Sequence, residues 1–398
     1  MKHAPTFLRI GVFGVVLLSS GPLCAQQFWV PAGLDSLRAA AVADSNDPVR
    51  HHAVALAYLN RQKLAEAEQA FRASLAADGR YAPALFGLAL IGFERGPKLF
   101  RPPGRKPPPE SVVKARDSIF GQYRRAFLFD PLVTLALPDA PLDTAVGRMW
   151  LGNVNVVSGA AYYAFLRGAS ARAFALTEWV LGQYETFQVS GVIPSEVLWL
   201  HGLSAARLGR FEPGIRALTV LVGRAAREDQ ADTTGLPLFL ATNDMRYMLA
   251  FFRAKAGHQW SAVNTYREVL VSDLGYWMAH VRLADLLEAL GRPDEALLER
   301  DQALAMNPAD PMLRFELGVT LGRAGRAAEA DSMLALAQAA LPRMALIPYR
   351  RAELAWLRND PEAARAGYEA FLALASGGLT DEIADAQIRL EVLRRHTP

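Results

Sequence analysis

Cysteine is all but missing: the 398 residues hold one, Cys24. Beyond it no disulfide can form, and no thiolate serves as nucleophile or metal ligand. Lysine is nearly as scarce, so the positive charge is carried by arginine. Neither sign dominates, with 43 basic residues against 40 acidic ones and a formal net charge of +3. Lys2 and Arg9 lie in the leader described below, so the remainder is closer still to neutral. Basic and acidic residues are interspersed along the helices, without the stripe of positive charge that nucleic-acid binding needs. Histidines number seven and are scattered. The adjacent His51 and His52 would point about 100° apart on a helix, which makes a poor metal pair. His-Glu-x-x-His, Gly-x4-Gly-Lys, Gly-x-Ser-x-Gly and Cys-x-x-Cys are all absent. No catalytic residue, metal or cofactor is assigned, and the expectation is a protein that is not an enzyme. Carboxylate pairs such as Asp294-Glu295 stand where they favour a following helix N-terminus electrostatically.

What is present is alanine, leucine and a period. With 52% hydrophobic and 21% charged residues, the chain is not disordered throughout, and strand-forming runs are few, so the fold class is all-α. Ala262, Ala296, Ala330 and Ala364 recur at an interval of 34. Ala250, Ala284, Gly318 and Ala352 repeat it, as do Val269, Ala303, Ala337 and Phe371. Small residues in two columns suit two crossing helices, whose approach is limited by the side chains between them. Another column, Gly257, Gly291, Gly325 and Asn359, marks where a helix stops and turns, because glycine accepts positive φ cheaply. Asp273, Asn307-Pro308 and Leu341-Pro342 close three of the units.

A 34-residue unit of two antiparallel helices resembles the tetratricopeptide repeat. The resemblance rests on Leu283-Ala284, Leu287, Gly291, Ala296, Ala303 and Pro308 in one unit, and on Leu317-Gly318, Leu321, Gly325, Ala330, Ala337 and Pro342 in the next. It implies an α-solenoid of about eight helix pairs with capping helices at both ends. The regular block spans 243–378, followed by a charged capping helix in 379–398. A first segment, 26–135, carries a Pro-rich insertion at 97–110, read as a surface loop. A joint at 136–153 follows, then a middle segment at 154–242 with weaker register.

Residues 1–25 read as a secretory signal: a basic start, an apolar core from Ile10 to Leu18 and a small residue at Ala25. That core is about half the ~20 residues a spanning helix needs. The expected address is therefore the bacterial periplasm. The rival is a lipid anchor at Cys24, although Gly21-Pro22-Leu23 matches a lipobox poorly.

In the family that the chain resembles, the first helix of each unit lines a concave ligand face. Carrying its positions over gives Phe86, Tyr162, Phe165, Trp199, Tyr247, Phe251, Phe315, Tyr349 and Trp356, with an acidic patch of Asp285, Glu288 and Glu353. The resemblance implies a protein partner of unknown identity, bound as an extended or helical segment on that face. The same rings could instead stack on a glycan or another extended small ligand. An envelope enzyme is the remote third reading. The family's carboxylate-clamp lysine and asparagine are not found at these positions, which points away from a peptide's terminal carboxylate and towards an apolar or cationic ligand.

Overall fold

The computed structural model describes residues 28–95, 110–133, 135, 137, 154–185, 193–231 and 242–395. The leader with Cys24, nearly all of the insertion and most of the 136–153 joint lie outside the described residues. Within them the fold is all-α, with helices and turns and no strand.

A single helix, α1 (Leu34–Ala43), precedes eight helix pairs. These are α2 (Pro48–Leu59) with α3 (Leu64–Ala77), α4 (Ala82–Arg95) with α5 (Glu110–Phe129), α6 (Val154–Leu166) with α7 (Ser170–Glu185), and α8 (Ser195–Arg207) with α9 (Phe211–Ala231). Then come α10 (Thr242–Lys255) with α11 (Gln259–Ser272), α12 (Trp277–Ala289) with α13 (Pro293–Met306), α14 (Pro311–Arg323) with α15 (Ala327–Ala340), and α16 (Leu346–Leu357) with α17 (Pro361–Leu374). A last helix, α18 (Thr380–Arg395), packs on α17.

The turn between the two helices of a pair repeats as one device. Two residues past the end of the first helix, or three in the first pair, the backbone turns left-handed at Gln62, Gly168, Gly209, Gly257, Gly291, Gly325 and Asn359. The next N–H then reaches back five residues to a carbonyl that the helix leaves unpaired: Lys63 to Tyr58, Ala169 to Ala164, Arg210 to Ala205, His258 to Arg253, Arg292 to Leu287, Arg326 to Leu321 and Asp360 to Ala355. The remaining pair, α4 with α5, has the insertion in place of that turn.

The periodic columns are the core. Ala250, Ala284 and Ala352, and Ala262, Ala296, Ala330 and Ala364, are all fully buried. So are Val269, Ala303, Ala337 and Phe371. The crossings are tight. A Cβ added at Gly318 would come within 2.8 Å of Leu334, and one at Gly214 within 2.6 Å of the Phe252 ring.

The chain divides into two compact units. One comprises Met1–Arg38, His51–Leu75 and Arg80–Ser272, the other Ala39–Arg50, Ala76–Gly79 and Asp273–Pro398. In the first, α6 and α8 touch each other directly besides packing on the helices between and after them. In the second, α14 and α16 do the same. The second unit also contains the turn between α1 and α2. Asn46 Nδ2 donates to the carbonyl of Leu374 at 3.2 Å, where α17 ends. Arg343, in the turn between α15 and α16, donates from Nε to Asn46 Oδ1 at 2.9 Å and from Nη2 to the Ser45 carbonyl at 3.1 Å.

Candidate functional site: the first-helix residues of the two units

In the first unit the first-helix side chains that the resemblance selects are largely covered. Phe86 packs against Tyr123 of its own pair, with ring centroids 5.7 Å apart, and Phe165 is buried. Trp199 is 5% exposed and Tyr247 is 0% exposed. Tyr162 and Phe251 are half-buried, the latter beneath the Lys255 ammonium.

The cover over Tyr247 is the chain itself. Helix α5 runs for 20 residues, whereas α11, α13, α15 and α17 run for 14. Its end reaches α10, three pairs further along the chain. Tyr247 Oη donates to the carbonyl of Leu128 at 2.7 Å. The Tyr247 ring meets Phe127 edge-on at 6.1 Å. Arg124 Nη2 stands 3.6 Å from the buried Asp244 carboxylate. Burial raises the Tyr123 hydroxyl well above its ordinary range, with Tyr162 and Asp244 adding to the effect. Burial likewise raises Tyr162, beside Tyr163. Burial lowers the Arg207 guanidinium, against which Asp130 pulls upward. Beyond the helix, Leu135 and Leu137 are buried, and His52 Nε2 lies 2.9 Å from the Leu135 carbonyl.

In the second unit the acids are already matched by arginines. Arg300 of α13 is 5% exposed. Its Nη2 lies 2.5 Å from Asp285 and 3.8 Å from Glu288, and its Nη1 lies 3.4 Å from Glu316. Glu288 also accepts from the Thr320 hydroxyl and from Arg323. Glu353 pairs with Arg350 at 2.7 Å. Asp285 remains the most open of the three predicted acids, its side chain 47% exposed. Phe315 and Tyr349 are buried. Tyr349 Oη donates to Asp385 at 2.8 Å, and burial followed by that bond raises its hydroxyl. Trp356 is half-buried with the Arg389 guanidinium 5.5 Å over its ring. The predicted patch is thus a lattice of charge pairs rather than a free negative field.

Two sets of residues escape a position-by-position reading. Arg300 carries a signal after the fact: 34 residues either side of it stand Tyr266 and Leu334, both buried, so a guanidinium in that column needs acids nearby. The α5 residues carry none that their own repeat shows, since α9 is longer still at 21 residues. Among the described residues no group of three or more His, Cys, Asp or Glu could hold a metal ion, and no helix is long and apolar enough to cross a membrane.

No family model matches the sequence, and no curated protein matches it. Among solved structures the chain is similar to a tetratricopeptide repeat protein from Parabacteroides merdae, at 14% identity, with 62% of this chain and 93% of that one covered and a TM-score of 0.46. It is similar to the C-terminal part of a TPR repeat-containing protein from Cytophaga hutchinsonii, at 13% identity, with 60% and 93% covered and a TM-score of 0.45. A thermophilic TPR protein from Thermus thermophilus gives 19% identity, 51% and 98% coverage and a TM-score of 0.32. With its 34-residue period, its buried columns and its left-handed pair turns, this chain has the tetratricopeptide-repeat fold.

Proposed function

We propose that the chain is a non-catalytic protein-interaction scaffold of the bacterial cell envelope, binding a helical or extended segment of a protein partner along a face lined by first helices. One observation carries the reading. Side chains of α10 already hold a helix end that comes from elsewhere in the chain, through the Tyr247 hydroxyl on the Leu128 carbonyl and Asp244 beside Arg124. A surface that receives one helix end this way has the chemistry to receive another: a buried hydroxyl for an orphan carbonyl, a ring for an aromatic residue and a carboxylate for a guanidinium. The envelope address rests on the 1–25 leader alone.

A glycan platform needs open ring faces, and Phe86, Trp199 and Tyr247 offer none here. The test is recovery of partners from envelope extract by the chain lacking residues 1–25. It is run beside a variant with Phe251→Ala, Asp285→Ala and Trp356→Ala, all at least partly exposed positions. A protein recovered by the parent, lost by the variant at equal helicity, and bound at least roughly tenfold more weakly by the variant when purified is the expected result. Equal affinity of parent and variant for every recovered protein would remove the inner faces from the proposal.

A further inference from the structure

We infer that the end of α5, residues Arg124 to Phe129, is a resident ligand of the first unit's inner face, and that a partner helix ending in the same chemistry competes with it. This rests on the scaffold reading above and names what that face recognises.

The first part of α5 behaves as the second helix of its pair: Ile119 lies against Gly92 and Tyr123 against Phe86 of α4. The last turns do something else. They extend past the 14 residues that suffice for the second helices of the regular block, and Phe127 and Leu128 reach α10. These turns pack as core, with Ala126, Phe127 and Leu128 buried, and add to that packing a set of directed contacts. The Leu128 carbonyl is one of the four acceptors that a helix C-terminus leaves without an intrahelical donor, and Tyr247 Oη supplies the donor. Arg124 brings a cation to Asp244, which is buried, while its own side chain stays 58% exposed. Phe127, four residues before the helix-closing Pro131, meets the Tyr247 ring. The recognised feature is therefore a helix C-terminus with a basic residue three places ahead of a Phe-Leu pair. Because the resident segment is covalently tethered, it holds the face at high effective concentration. A free helix then binds only to the fraction of molecules in which the segment has left.

The experiment uses the full chain and a fluorescein-labelled synthetic peptide of residues 117–131, with binding followed by anisotropy. Arg124→Glu in the protein sets a carboxylate against Asp244 and weakens the resident segment without touching the receiving face. The expected result is roughly tenfold tighter peptide binding by this variant than by the parent. A peptide that itself carries Arg124→Glu should lose that gain. Should Arg124→Glu lower helicity, Arg124→Ala removes the pairing without adding repulsion and takes its place. Equal binding by parent and variant overturns the inference. If neither binds the peptide while both recover the same envelope protein, the inference falls and the scaffold reading stands. If the variant binds the peptide tightly but no partner is ever recovered, the resident contact stands and the scaffold reading falls.

Discussion

His52 donates its Nε2–H to the carbonyl of Leu135, 83 residues away, at 2.9 Å, and its Nδ1 lies buried without a hydrogen-bond partner. The ring sits between Phe71, 5.3 Å away, and Tyr81, 5.5 Å away. Desolvation lowers its pKa from 6.5 to about 4, against the upward pull of the Leu135 bond. The folded protein thus keeps this histidine neutral, whereas the unfolded chain protonates it near 6.5. Stability from His52 is complete above about pH 6.5 and declines as the pH falls towards 4, by about 3 kcal/mol in all. His201, lowered to about 4 by burial and then by Arg216, acts in the same direction. Urea titrations at pH 7 and pH 4.5 should show a drop that His52→Gln makes smaller. An unchanged pH dependence in that variant would show that His52 is not the titrating group.

Gly214 is expected to reject even a methyl group. Its absent Cβ would lie 2.6 Å from the buried Phe252 ring and 3.1 Å from the Gly202 carbonyl. Gly214→Ala should cost about 1–3 kcal/mol through overpacking, read as a shifted urea midpoint. Gly223→Ala in the same helix, where nothing lies within 4 Å, is the control and should be neutral or stabilising.

The pair turns predict opposite responses to one chemical change. At Gly291, with φ at 73°, a Cβ is strained, and Gly291→Ala should destabilise by about 1 kcal/mol. At Asn359, with φ at 56°, the Cβ is already present, and Asn359→Gly should be neutral within about 0.5 kcal/mol. Thermal melts of the two variants beside the parent separate these outcomes.

Removal of Arg300 should cost more than loss of a surface ion pair. Arg300→Met leaves Glu288 and Glu316 without a partner they share. A loss of about 2 kcal/mol is expected, below the full cost of breaking a buried pair because Asp285 stays open to water. Adding Glu288→Gln and Glu316→Gln should recover more than half of it. No recovery would mean that Arg300 acts through packing of its stem.

The repeat was legible because its constraints are local. Ala296 is small because two helices cross there, and Gly291 is glycine because its backbone is left-handed, so both recur every 34 residues. What covers a repeat is not local. Periodicity puts Tyr247 on the face of its first helix, but nothing within its own unit says that Leu128 will lie on it. The acids at Asp285 and Glu288 show the same limit from the other side. Their partner Arg300 sits on the next helix, in a column whose other members are apolar.

The bonds from Asn46 to Leu374 and from Arg343 to Asn46 set an order of events in synthesis. Some 328 residues separate Asn46 from Leu374. At ordinary translation rates the turn at Ser45-Asn46 leaves the ribosome about 15–65 s before the helix end that it finally caps exists. The pairs from α12 onward can stack as they emerge, but the early turn gains its last partner only when the final pair has been made.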